Sequence, residues 1–150
     1  KTDSLERISA GKFLYPPESF TKSVSIDSNG KRLVNEEFYG ARTGEALFGN
    51  AGGRGWLILD QPLWSETVHE MHTAKKMFFQ KVQYRAIEND YTTSAATIGE
   101  LADKIGVPQT ALEATIAEYT GNMARDQDAF GKPKSVVGKA TAIGVIMVAR

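Results

Sequence analysis

Apolar residues recur with two different spacings along this chain, and the spacing assigns the elements. Val24 and Ile26 alternate with polar neighbours, the two-residue repeat of a half-buried strand. Asn29-Gly30 follows, the pair that most readily forms a type I′ hairpin turn, because both central residues must take positive φ. Leu33 and Val34 predict the return strand. Asn35 is then a good N-cap, with Glu36 and Glu37 at the positive end of the helix dipole. A helix is predicted from Asn35 to Phe48, with Phe38, Ala41 and Leu47 facing inward. Gly49, Gly52, Gly53 and Gly55 form a connection, and Trp56-Leu57-Ile58-Leu59 is continuously apolar, as a central strand would be. Asp60 caps the next helix and Pro62 sits in its first turn. Leu63, Val68, Met71, Lys75 and Phe78 follow at helical spacing, so this helix is expected to reach Gln83.

Residues 86–96 are polar and predict a loop. Thr97-Ile98-Gly99-Glu100 is a capping box, Ile98, Leu101, Ala102 and Ile105 make one apolar face, and Gly106 supplies the C-terminal cap. Pro108 opens a further helix with Leu112, Ile116, Tyr119 and Met123 on one stripe. The segment from Ala140 to Val148 is apolar enough for a strand, and without partners it would be an exposed, aggregation-prone edge. Residues 1–21 read as irregular, with Pro16-Pro17 disfavouring helix around Tyr15.

Composition narrows the function classes. A chain of 150 residues fits one domain that buries roughly two-thirds of its unfolded surface. Eighteen Lys plus Arg balance eighteen Asp plus Glu, so no global field attracts nucleic acid or anionic lipid. The absence of cysteine removes disulfides, thiolate catalysis and zinc-thiolate or iron–sulfur sites, and fits a reducing, cytoplasmic compartment. No segment reaches the ~20 apolar residues of a membrane span. Lys1-Thr2-Asp3-Ser4 carries neither an initiator Met nor an apolar signal core, and reads as part of a longer chain.

Three ordered segments resemble one family. Ser28-Asn29-Gly30-Lys31-Arg32-Leu33-Val34-Asn35-Glu36 resembles the V-N-x-x-G-x-R-F-V-N-E segment of FAD-dependent fumarate reductases and 3-ketosteroid dehydrogenases. "WLILDQPLW" resembles the family's W/Y-L-I-F-D strand. The run from Thr97 to Pro133 resembles its T-x-x-E-L-A helix, G-V/I-x-P turn, A-L-x-x-T-V-x-x-Y-N helix, acidic loop and F-G-K/R. Together they cover residues 22–133. In that family the first segment opens the capping domain that closes over flavin and substrate.

The resemblance implies an excised capping domain. Its flavin domain carries G-x-G-x-x-G after a strand, whereas Gly49, Gly52, Gly53 and Gly55 lack that spacing and precede their strand. No Gly-Lys-Ser/Thr of a P-loop occurs either. FAD is therefore expected only in the full-length enzyme, bound by a missing flavin-binding domain. Fumarate reductases resembling this segment use an Arg four residues after the motif's Glu as proton donor. Counted from Glu36 that position is Gly40, which cannot donate. Steroid dehydrogenase relatives place a Tyr nearby, and Tyr39 is the candidate catalytic residue, with Arg42 the candidate substrate-binding residue. Tyr39 equally fits an ordinary helix aromatic, and Arg42 an ion pair with Glu37 or Glu45.

Two other patterns were weighed. His69 and His72 share a helix face, but His69-Glu70-Met71-His72 is not H-E-x-x-H and no third ligand is in place, so no metal is assigned. Lys75, Lys76, Lys81 and Arg85, interleaved with Phe78, Phe79 and Tyr84, fit a solvated face beside a core face better than a strand-binding surface.

The reading is an α+β domain: a small, mainly antiparallel sheet from segments near 22–27, 31–34 and 56–59, packed against four helices. Residues 22–133 form the cap and 134–150 return toward the flavin domain. The implied chemistry is hydride exchange between flavin and a C–C bond of a small-molecule substrate, ketosteroid-like or enoate-like. A non-catalytic binding module that keeps the cap's architecture is the alternative.

Overall fold

The computed structural model describes residues 17–38, 46, 54–73, 78–133 and 143–149. In chain order its elements are β1 (Val24–Ile26), β2 (Arg54–Leu59), α1 (Gln61–Thr73), α2 (Phe78–Asn89), β3 (Thr92–Ala95), α3 (Ile98–Ile105), α4 (Gln109–Ala124) and β4 (Ile143–Ala149), with 3-10 turns at Glu18–Lys22 and Glu36–Phe38. The strands form one antiparallel sheet in the order β1-β2-β4-β3. The α+β architecture read from the sequence therefore holds.

β2 explains how the sheet divides the core. Its side chains alternate between faces. Trp56 and Ile58 join Val24, Ile26, Leu101, Leu112, Ile116, Tyr119 and Met123 on the side covered by α3 and α4. Leu57 and Leu59 join Phe20, Leu63, Met71, Tyr84 and Ile87 on the side covered by α1 and α2. With both faces buried, the strand needs no polar alternation, and this accounts for the unbroken apolar run.

The helix ends follow the capping chemistry. Asp60 Oδ1 accepts from the Leu63 N–H at 2.8 Å and starts α1. Thr97 Oγ1 accepts from the Glu100 N–H at 3.2 Å, while the Glu100 carboxylate takes the N–H of Ala96 at 3.2 Å, one residue earlier than a capping box would have it. Gly106, at φ +76°, closes α3 with its N–H on the Ala102 carbonyl. The stripe Leu112, Ile116, Tyr119 and Met123 is buried as its spacing requires.

Several expectations are corrected. The turn after β1 is not type I′: it runs from Asp27 to Gly30, closed by the Gly30 N–H on the Asp27 carbonyl, and Gly30 takes positive φ while Asn29 does not. Asp27 Oδ1 organises it by accepting from the N–H groups of Asn29 and Lys31. The return strand at 31–34 reduces to one bridge, Ile26 with Arg32, plus the Leu33 N–H on the Ser25 carbonyl. The helix expected to reach Gln83 is two helices: α1 ends at Thr73 and α2 starts at Phe78, whose side chain is 82% exposed instead of inward. The loop expected at 86–96 instead holds the end of α2 and edge strand β3, polar because β4 is its one partner. β4 lies between β2 and β3, so the feared exposed edge is an inner strand. Of residues 1–21, Glu18–Lys22 form a 3-10 turn whose first N–H groups, Glu18 and Ser19, donate to the Glu70 carboxylate at 2.6 and 3.1 Å. Of the helix expected from Asn35 to Phe48, the structure describes its start. Asn35 Oδ1 caps the N–H of Glu37 at 3.0 Å, and a 3-10 turn runs to Phe38.

Candidate active site

That 3-10 turn is the described approach to the segment where the sequence places chemistry. Tyr39 and Arg42, like Gly40, lie outside the described residues. What the structure does describe is the apparatus that holds Glu36, three positions before Tyr39.

Glu36 sits at the first position of the turn, with its side chain 1% exposed. Its Oε1 accepts from the Ser25 N–H at 2.7 Å, Ser25 Oγ at 2.8 Å and Arg32 Nε at 3.1 Å. Its Oε2 accepts from Arg32 Nη2 at 2.7 Å and Lys132 Nζ at 3.1 Å. Arg32 also donates from Nη1 to Asp128 Oδ1, and its guanidinium lies 4.6 Å from the Tyr119 ring centroid and 5.1 Å from that of Phe130. Lys132 Nζ, at 0% exposure, makes a second bond to the Ser23 carbonyl at 2.7 Å. Asp128 Oδ2 ties its own loop by accepting from the N–H groups of Phe130 and Lys132. Asn35 Nδ2 donates to the Phe130 carbonyl at 3.2 Å, so the same loop also grips the residue that caps the turn.

Two cations and two carboxylates thus neutralise one another out of water, the condition under which charges can be buried. Burial works against the Arg32 charge, but the hydrogen bonds and charges of Glu36 and Asp128 outweigh it and raise its pKa. Burial likewise opposes ionisation of Asp128, yet Arg32 and the two loop N–H groups hold it below the usual carboxylate range. For Lys132 burial prevails and lowers the pKa, against the opposing pull of Glu36. Burial, reinforced by Glu36, pushes the Tyr119 phenol far up, and its hydroxyl has no hydrogen-bond partner among the described residues. Every charge in the cluster is engaged, so it is equipped to hold a segment in place, not to react. Beside it an open cleft of about 400 Å³ runs between Lys31, Arg32, the Thr115–Asn122 face of α4 and Phe130.

The sequence reading assigned Arg32, Glu36, Asp128 and Lys132 no joint role. All four stand inside the matched motifs, but Arg32 and Lys132 are separated by 100 positions, and no periodicity links them. Of the two histidines, His69 is exposed, and His72 Nε2 is 2.8 Å from Glu88 Oε2 on α2. Lys81 and Arg85 are exposed while Tyr84 is buried, as a solvated face beside a core face requires.

The described residues do not fit a dinucleotide. At the β2–α1 junction, where a pyrophosphate would meet a helix N-terminus, the Asp60 carboxylate already accepts from the Leu63 N–H. Its Oδ2 is buried without a partner among the described residues, and burial raises its pKa, helped by the charge of Glu66 and opposed by the Leu63 N–H. An anion brought here would add repulsion to an already unfavourable charge.

Comparison with known proteins bears on what this cluster serves. No protein-family model matches the chain. It is 27% identical over 109 residues to a 3-oxo-5-alpha-steroid 4-dehydrogenase of Comamonas testosteroni, a match covering 73% of this chain and 21% of that enzyme. It is 35% identical over 117 residues to an NADH:acrylate oxidoreductase of Vibrio harveyi, covering 77% of this chain and 10% of that one. Among solved structures, 3-ketosteroid-Δ4-(5α)-dehydrogenase of Rhodococcus jostii RHA1 superposes with a TM-score of 0.71 at 21% identity, over 89% of this chain and 26% of that chain. A solution NMR structure of a fumarate reductase flavoprotein subunit of Lactobacillus plantarum gives 0.64 at 15% identity, over 87% and 84%. In sequence the chain is thus similar to a steroid dehydrogenase and an acrylate oxidoreductase, and it shares its fold with a ketosteroid dehydrogenase and a fumarate reductase flavoprotein subunit. It spans about a fifth or less of the length of the steroid dehydrogenase and the acrylate oxidoreductase that it matches. Among the described residues no helix is long and apolar enough to cross a membrane.

Proposed function

We propose that this chain is the substrate-capping domain of a cytoplasmic FAD-dependent oxidoreductase that exchanges hydride between flavin and a C–C bond of a ketosteroid-like or enoate-like substrate. One observation carries the reading: about three-quarters of the chain aligns with 10 to 21% of two flavoenzyme relatives, one named for a steroid and one for acrylate. The flavin, bound by a partner domain outside this chain, would supply the hydride chemistry. The chain itself would exclude water and present one proton-transferring group. In this reading Tyr39 carries that proton and Arg42 orients the substrate, while the Arg32–Glu36–Asp128–Lys132 cluster fixes the turn that precedes them.

The test takes two preparations. This chain purified alone should be colourless after gel filtration, because it carries no G-x-G-x-x-G loop to cradle a pyrophosphate. The full-length protein should show a flavin spectrum that a ketosteroid bleaches or that, once reduced, an enoate restores. Stoichiometric flavin on the isolated chain, or a full-length flavin indifferent to both substrate classes, would overturn the proposal.

A further inference from the structure

We propose that Glu100 and Lys104 clasp the outer edge of β3 shut, and that releasing the clasp lets two copies of this chain join through that edge into one continuous sheet. The inference is independent of the flavoenzyme reading.

The register decides which backbone groups β3 turns outward. In an antiparallel ladder the N–H and C=O of one residue point to the same side, and successive residues point to opposite sides. Ser25 directs both groups away from β2, its N–H to Glu36 and its carbonyl to the Leu33 N–H. Its partner Leu57 therefore bonds β4, and Ile146, opposite Leu57, bonds β2 in return. Thr92, opposite Ile146, is left facing away from the sheet, and Ser94 faces the same way. Those bonds to Ser25 also cover the outer side of β1, so β3 is the edge that remains among the described strands.

α3 closes part of this edge. Lys104 Nζ donates to the Ser94 carbonyl at 2.6 Å, and Glu100 Oε2 accepts from the Ala96 N–H at 3.2 Å. The two side chains stand one turn apart on the same side of the helix. They take the carbonyl of one outward residue and the N–H of the next, groups through which an edge would grip an added strand. The Ser94 N–H has no partner among the described residues.

A second copy is the occupant that the edge itself selects. Thr92–Ala95 carries neither charge nor proline, so nothing in the strand opposes pairing with its own kind. A two-fold axis through Ser94 would set the Ser94 N–H of each copy on the Ser94 carbonyl of the other, with Thr92 opposite Ala96. Both sides then offer the same patch, as a two-fold dimer requires. That pairing needs the Ser94 carbonyl and the Ala96 N–H of each copy, the two groups the clasp holds. Lysine within an edge strand is a common guard against such joining, and here it reaches the edge from the neighbouring helix.

Sedimentation equilibrium over a concentration series, with amide exchange followed by NMR, tests this on the chain. Wild type and Lys104→Arg, which keeps a donor, should be monomeric. Lys104→Ala should dimerise, and adding Glu100→Ala should move dimerisation to lower concentration. In the dimer the Ser94 N–H should exchange about 2- to 10-fold more slowly, the size of one added hydrogen bond. Adding Ser94→Lys to Lys104→Ala should restore the monomer, because two ammonium groups would stand directly opposite each other. Glu100→Ala alone, which frees the Ala96 N–H, carries the test where Lys104→Ala does not fold. A Lys104→Ala chain that stays monomeric, or Glu100→Ala where it stands in, overturns the proposal. So does association that leaves Ser94 exchange unchanged or survives Ser94→Lys, since the contact would then lie elsewhere. A wild type already paired through this edge overturns it equally.

Discussion

Arg32 and Glu36 grip each other through two parallel bonds, Nε to Oε1 at 3.1 Å and Nη2 to Oε2 at 2.7 Å, although one belongs to a bridge beside β1 and the other opens a 3-10 turn. Four residues apart, they are not stacked on a common helix. The chain between them bends so that the guanidinium lies over the Tyr119 ring and the carboxylate turns inward. A planar fork bonds both Glu36 oxygens and Asp128 at once, which the point charge of a lysine could not do.

Arg32→Lys should therefore be strongly destabilising, by about 3–5 kcal/mol, because it leaves Asp128 or Glu36 buried without its partner. Lys22→Ala, which breaks the half-exposed pair with Glu66, should cost no more than about 1 kcal/mol. Urea denaturation of the two variants side by side checks the contrast. Similar midpoints would mean that the buried cluster is not the firm point of the fold.

Thr97→Ala should cost about 1 kcal/mol by leaving the Glu100 N–H without its acceptor. The Glu100 carboxylate bonds Ala96, not Thr97, so Glu100→Gln should be milder. Thermal midpoints of both variants decide it.

Asp60 makes stability depend on pH in a definite sense. Its folded pKa lies above the ordinary carboxylate value of 3.8, so its contribution is fully present below that value and is lost as pH rises through the folded one. Asp60→Asn keeps an oxygen for the Leu63 N–H and removes the buried charge. It should be more stable relative to wild type at pH 7 than at pH 3. Chemical denaturation at both pH values measures the difference, and an equal difference at both would mean the carboxyl is not shifted.

Tyr39→Phe in the full-length enzyme should lower turnover roughly 10²–10⁴-fold, the usual size of a lost general acid, with folding barely changed. Arg42→Ala should mainly raise KM, as expected for lost uniform binding. Steady-state kinetics at matched flavin content distinguishes the two, and wild-type turnover in Tyr39→Phe would move the proton source to the flavin domain or to water.

Local rules were legible in the sequence wherever the cause was local. Asp60, Thr97, Gly106 and the Leu112–Met123 stripe each act within a few residues, and each appears in the structure as the sequence indicates. Elements decided by distant partners were not. Thr92-Thr93-Ser94-Ala95 has little strand character of its own and is a strand because β4 lies beside it. Leu33 and Val34 have that character, yet the pairing with β1 stops after the Ile26–Arg32 bridge and the Leu33 N–H on the Ser25 carbonyl. The cluster itself joins positions 23, 25, 32, 36, 128 and 132, and a pairing that skips 90 residues leaves no periodic trace.

The place of β4 makes this a fold that closes late. Arg54 pairs with Ala149 and Thr92 with Ile146, so one of the two inner strands of the sheet is translated after every other described element of the fold. Until it arrives, β2 has β1 alone and β3 has no partner among the described strands. The helices α3 and α4, built from neighbouring residues, can form early, but the sheet they cover must wait for contacts that span most of the chain. A nascent chain halted before residue 143 would expose one edge of β2, a stretch rich in Trp, Leu and Ile, and should be a preferred substrate for chaperones.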